Sequence, residues 1–165
     1  MLETEVIREG VVAIIEQSGR YLTITRSQSV IAPGKVCFPG GGIEAGETPH
    51  QALIRECFEE LGVSVEPIRQ LGISVTPWGV RLYWYSAKLS NEDATFLPNP
   101  QEVSAVTWMT RDEMLAHPET LEGNASFFEK LETMMQADDE IGNACCTQTI
   151  RLPGKIRILK NVQSD

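Results

Sequence analysis

The sequence predicts an α/β fold, a mixed sheet with helices packed on its faces. Three observations carry this. Strand-rich runs stand on both sides of one strongly capped helix, and further helical segments follow late in the chain. The third is length: 165 residues suffice for one compact domain but not for two independent cores. A single domain is therefore expected over 1–165, with about 145–165 forming a C-terminal strand pair or extension.

Residues 10–16 (GVVAIIE) and 20–26 (RYLTITR) are rich in β-formers and are separated by Gln17, Ser18 and Gly19, which predicts a hairpin. From Ala32 to Gly46 the prolines and glycines exclude a regular helix and leave a loop with one short strand around Val36 to Phe38. Thr48 suits a helix N-cap, Pro49 the first helical position, Gln51 completes a capping box and Gly62 is a natural stop. The spacing predicts a helix over 49–61. Val63 to Thr76 and Val80 to Leu89 read as strands joined through Pro77, Trp78 and Gly79, and Glu102 to Met109 as another. Arg111 to His117 and Ser126 to Ala137 favour helices, and TIRLPGKIRIL reads as two short strands about Pro153 and Gly154.

The formal net charge of −9 argues against nonspecific binding to nucleic acid or an anionic membrane, since both need clustered Lys and Arg. An anionic substrate would need local help from basic side chains, or from cations held by acidic ones. Cys37, Cys57, Cys145 and Cys146 show neither CxxC pairing nor a nearby histidine pattern, which leaves them as reduced thiols. The start MLETEVIREG carries charges where a signal peptide needs an apolar run, and no stretch reaches the length of a membrane span; a cytoplasmic location is expected.

At about 100° per residue, Glu56, Glu59 and Glu60 fall within an arc of about 100° on the predicted helix, while Ile54, Cys57, Phe58 and Leu61 occupy another sector. A solvated face on an acidic protein is the ordinary reading of three helical glutamates. Against it, Glu56 and Glu60 form an i,i+4 like-charge pair, and Arg55 is expected to offset Glu59 alone. Hard cations such as Mg²⁺ take oxygen ligands of this kind and keep positions open for water and phosphate. Gly40, Gly41 and Gly42 precede the helix, and their missing side chains would let backbone groups approach an ion or phosphate.

Read together, Gly41, Glu47, Arg55, Glu56, Glu59, Glu60 and Gly62 resemble the Nudix box, GX5EX7REUXEEXGU, at every fixed position from Gly41 to Val63. Cys57 stands where the motif has a bulky aliphatic residue, a site where a thiol packs as a small hydrophobe. The resemblance implies an α/β/α sandwich, a Mg²⁺ or Mn²⁺ cofactor, and hydrolysis of a phosphoanhydride bond in a nucleoside diphosphate linked to another moiety, X. It further implies Glu59 and Glu60 as principal metal ligands, Glu56 as a ligand and base, and the Gly40 carbonyl as a ligand. Glu47 and Arg55 read as a structural ion pair, with Gly41 and Gly62 as structural support. Glu102, in NPQEVSAVTWM, is either a further metal ligand or proton acceptor, or a surface loop glutamate.

Trp78, Tyr83, Tyr85 and Phe96 could stack on a base, although aromatics in alternating strands more often belong to the core. Arg26, Lys35 and Arg81 are candidates to meet substrate phosphates. Arg26, Ser27, Gly34, Phe38, Pro39, Gly40 and Gly41 partly match the stretch before the box in coenzyme A pyrophosphatases, but Ile31 stands near where that motif has an arginine and the spacing to Gly34 is one residue short. Pro77 lies near the proline position of ADP-ribose pyrophosphatases, and a (d)NTP pyrophosphohydrolase is equally open. A noncatalytic nucleotide-sensing module is the rival of another class. The expected partners are a small nucleotide and, at most, a second copy of the chain in a homodimer.

Overall fold

The computed structural model describes residues 8–131. Cys145, Cys146 and the expected C-terminal strand pair lie outside them. Strand β1 (Glu9–Gln17) turns through Ser18 and Gly19, both with positive φ as a tight two-residue hairpin turn demands, into β2 (Arg20–Arg26). The two strands pair only at Glu16↔Tyr21 and Gln17↔Arg20 and then splay apart. Beyond that point β2 is flanked by β3 (Val36–Cys37) and by β7 (Val103–Met109), both antiparallel to it. β1 instead takes β4 (Gly40–Gly42) on one side and β6 (Arg81–Leu89) on the other. β6 runs parallel to β1, and β5 (Val65–Val75) closes that edge antiparallel to β6, so the sheet is mixed as expected.

The sequence predicts a loop at Gly40 to Gly42; these residues instead form β4, paired at Gly10↔Gly42, Val11↔Gly41 and Val12↔Gly40. The physical reason is space. A Cβ on Gly40 would lie 2.1 Å from the Val11 carbonyl oxygen, so this pairing exists only for glycine, whose low strand propensity hides it from a reading of the sequence.

Helix α1 (Pro49–Leu61) has the predicted limits because its ends are satisfied locally. Thr48 Oγ1 accepts from the Gln51 amide, Gln51 Oε1 accepts from the Thr48 amide, and Gly62, at φ 68°, donates to the Phe58 carbonyl. Ala52, Leu53, Cys57 and Leu61 pack on Val11, Ala13, Ile15, Tyr85 and Leu89 of one sheet face. On the opposite face Ile14, Phe38 and Trp84 meet Met114 of α2 (Arg111–Ala116) and Phe127 and Phe128 of a helical stretch at 122–131. Helix, sheet and helix thus form three layers. The late helix begins four residues ahead of its expected start, and its expected end at Ala137 lies outside the described residues. Among the described residues no helix is long and apolar enough to cross a membrane.

Candidate active site

Helix α1 carries Glu56, Glu59 and Glu60 at the edge where β4 meets it. Glu60 is 5% exposed, and its Oε2 accepts from the Gly40 amide at 3.0 Å. Burial pushes the Glu60 carboxyl up to about 8 against the pull of that hydrogen bond, with Glu56 and Glu102 adding repulsion and Arg26 weak relief. Glu56 is raised for the same reasons: burial first, offset by Arg55, then repulsion from Glu59 and Glu102. Glu102, in the turn before β7, is thus close enough for its charge to act on both carboxyls. Its segment is tied back by the Ser27 amide, which donates to the Glu102 carbonyl at 2.8 Å, and by Ser27 Oγ, which donates to the Gln101 carbonyl. The sequence reading met Ser27 only in the partial motif match; what this buried hydroxyl holds shows only in the folded pairing of β2 with β7.

Arg55 does more than the expected offset of Glu59. Its Nε and Nη2 bind both oxygens of Glu47 at 2.8 and 2.9 Å, and Nη2 also reaches the Gly42 carbonyl at 2.8 Å. Nη1 is shared between Glu56 at 2.9 Å and Glu59 at 3.2 Å. Adjacent helical residues do not face each other; Arg55 reaches Glu56 because the fork turned toward Glu47 and β4 sweeps across the neighbouring side chain. The bidentate contact holds the Glu47 carboxyl down to about 2.

Gly41 is shaped around this arrangement. A Cβ there would lie 2.3 Å from the Glu56 carboxylate, so the box glycine is an absence of volume that the Glu56 side chain fills. Gly41→Ala is expected to displace Glu56 and lower turnover by roughly 10- to 100-fold, in proportion to a side-chain misplacement of about 1 Å. Its thermal melt should move by only a few degrees. A variant with wild-type kcat would show that the position of Glu56 is not limiting.

The other candidates are distributed. Arg26 Nε donates to the Ile31 carbonyl at 2.7 Å, and its charge is felt at Glu60 and Cys37, which puts it beside the carboxylates. Lys35 is drawn to Glu119 at 2.8 Å. Arg81 and Tyr83 converge on Glu9 Oε1, at 3.2 and 2.7 Å, in a separate polar cluster. Tyr85 is buried, with its hydroxyl on Gln70, and Phe96 packs against Trp108, as core aromatics do. Trp78 stands 74% exposed in the β5–β6 turn.

The donor set suits a hard divalent cation: it consists of carboxylates and a nearby backbone carbonyl, with one carboxyl buried against its own charge. Among the described residues, no three acidic, histidine or cysteine side chains converge on one point; Glu56 is held by Arg55 and Glu60 by the Gly40 amide.

The family model for the NUDIX domain matches residues 6–131. The chain belongs to the Nudix family. Nudix hydrolase 3 of Caenorhabditis elegans is 35% identical over 95 residues, which cover 50% of this chain but only 37% of that relative. The nucleoside triphosphatase NudI of Enterobacter sp. (strain 638) is 31% identical over 127 residues, covering 65% of this chain and 84% of the relative. Among solved structures, the E. coli ORF135 protein superposes with a TM-score of 0.62 at 25% identity, over 79% of this chain and 91% of that one. The α/β architecture of this chain is thus that of its Nudix neighbours.

Proposed function

We propose that this chain is a pyrophosphohydrolase that uses Mg²⁺ or Mn²⁺ to cleave a phosphoanhydride bond in a nucleoside diphosphate linked to a further moiety, X. The observation that carries the reading is the buried Glu60 carboxyl, which accepts from the Gly40 amide and feels the repulsion of Glu56 and Glu102. A bare acidic group so placed is costly, and a cation is what would relieve it.

Glu56, Glu59 and Glu60 would hold the metal, with Glu102 and the Gly40 carbonyl as further ligands. When bound, such ions neutralise phosphoryl oxygens and orient water for in-line attack. The residues of the chain do the rest. Glu47 and Gly42 hold Arg55, and Arg55 keeps Glu56 turned toward β4. Glu102 or Glu56 accepts the proton of the attacking water as its oxygen bonds to phosphorus and the bridging oxygen leaves with the other phosphate. Arg26, beside Glu60, meets the substrate phosphates.

A second reading, nucleoside triphosphate pyrophosphohydrolysis, is favoured by the relative named a nucleoside triphosphatase, of which this chain covers 84%. A panel of nucleoside diphosphate derivatives and (d)NTPs with Mg²⁺, assayed for phosphate with and without added phosphatase, separates the two. The X-linked reading expects phosphate only after phosphatase is added, from the diphosphate derivatives. Turnover of triphosphates alone would replace it, and no turnover of either with intact metal binding would favour the noncatalytic sensor.

A further inference from the structure

Strand β5 is the open edge of its sheet: among the described residues it pairs with β6 alone. Its two halves treat that edge differently. The first carries Glu66, Pro67 and Arg69 and has register shifts between Pro67 and Arg69 and between Gln70 and Gly72, the devices by which proteins keep an edge from pairing. The second half has none of them. From Gly72 to Val75 the register is regular, and no charged side chain occurs from Gln70 to Val80 in a chain that is 22% charged. Yet Ile73 is 53% and Val75 65% exposed, with Trp78 just beyond them.

The direction of the free backbone groups follows from the ladder. The Thr76 amide donates inward to the Val80 carbonyl at 2.8 Å, so by antiparallel alternation Ser74 and Gly72 also face β6, and the amides and carbonyls of Ile73 and Val75 face outward. This half-strand is self-complementary. Turned over about an axis through Ser74, Ile73 lies opposite Val75 of a second copy and Val75 opposite its Ile73. Both are pairs in which the outward amides and carbonyls can be exchanged. The polar residues of the run, Ser74 and Thr76, fall on the alternate positions.

We propose that the Gly72–Val75 edge is a homodimer interface, in which β5 of two copies pair antiparallel about Ser74 to make one continuous sheet. Charge selects the occupant. Two chains of net charge −9 repel over most of their surface, and this uncharged run is a place where one copy can approach another without opposing like charges. Four apolar side chains, Ile73 and Val75 from each copy, then cover one another across the axis. A ladder this short makes a small interface, so the dimer should be concentration-dependent.

The test is sedimentation of the full chain over roughly 1 to 500 μM, with Ile73→Lys and Val75→Glu as variants. Both side chains are mostly exposed, so the melting temperature reports whether each variant is folded. The wild type should pass from monomer to dimer, and either variant should lose the dimer at an unchanged melt. Mixing the two variants should restore a heterodimer, because the register sets the introduced lysine of one copy beside the introduced glutamate of the other. A wild type that is monomeric throughout, a folded variant that still dimerises, or a mixture that stays monomeric would each overturn the proposal.

Discussion

Replacing Glu60 by Gln is expected to lower turnover by roughly two to three orders of magnitude, with the metal-free protein melting at or above the wild-type temperature. The amide keeps the shape of the carboxyl and can still accept from the Gly40 amide, so little packing changes. What goes is the charge, and with it a ligand where negative charge builds on the phosphoryl oxygens. The sign of the stability effect follows from burial. Folding raises the Glu60 carboxyl from 4.5 to about 8, so its favourable contribution to the metal-free protein is complete below pH 4.5 and is lost as the pH rises through about 8. Gln does not titrate, so the variant's advantage should widen between pH 6 and pH 8. The measurements are kcat with saturating Mg²⁺ and metal-free melts at both pH values. A kcat near wild type would remove Glu60 from the chemistry.

Addition of Mg²⁺ or Mn²⁺ should raise the melting temperature of the wild type substantially. A cation that binds only the folded state at 100 times its Kd stabilises by about 2.7 kcal/mol, which for a domain of this size is on the order of 5–10 °C. Because the Glu60 proton must leave for the carboxylate to bind, affinity should increase as the pH approaches 8. Glu56→Gln should relieve repulsion without metal and shrink the shift with it. If neither cation moves the melt, alone or with a nonhydrolysable nucleotide, the metal-site reading of α1 fails.

What the sequence disclosed about this site tracks how local the cause is. Helix α1 was legible to its last residue because Thr48, Gln51 and Gly62 act on backbone groups within four positions of themselves. The acidic arc was legible because helical geometry alone places it. β4 was not, since three glycines become a strand only when β1 supplies a partner and excludes any Cβ. The reach of Arg55 to Glu56 depended on where Gly42 and Glu47 stand, and the placement of Glu102 depended on Ser27, far away in sequence. The basic candidates fared unevenly for the same reason: Lys35 and Arg81 found carboxylates of their own, at Glu119 and Glu9.

The early parting of β1 and β2 places the residues of the site on two arms of the sheet. Glu56 and Glu60 ride on a helix packed against β1 and β4, whereas Arg26 and Glu102 belong to the arm built on β2 and β7. The arms are joined at the Ser18–Gly19 turn, and the Phe38–Pro39 step crosses between them from β3 to β4, where the Pro39 carbonyl accepts from the Ala13 amide. The arms also meet at the carboxylates themselves: the Asn99 amide donates to the Glu60 carbonyl at 2.9 Å, and the Glu102 amide donates to the Asn99 carbonyl at 3.0 Å. One short run of chain, Asn99 to Glu102, therefore sets how far Glu102 stands from the helix that carries Glu60.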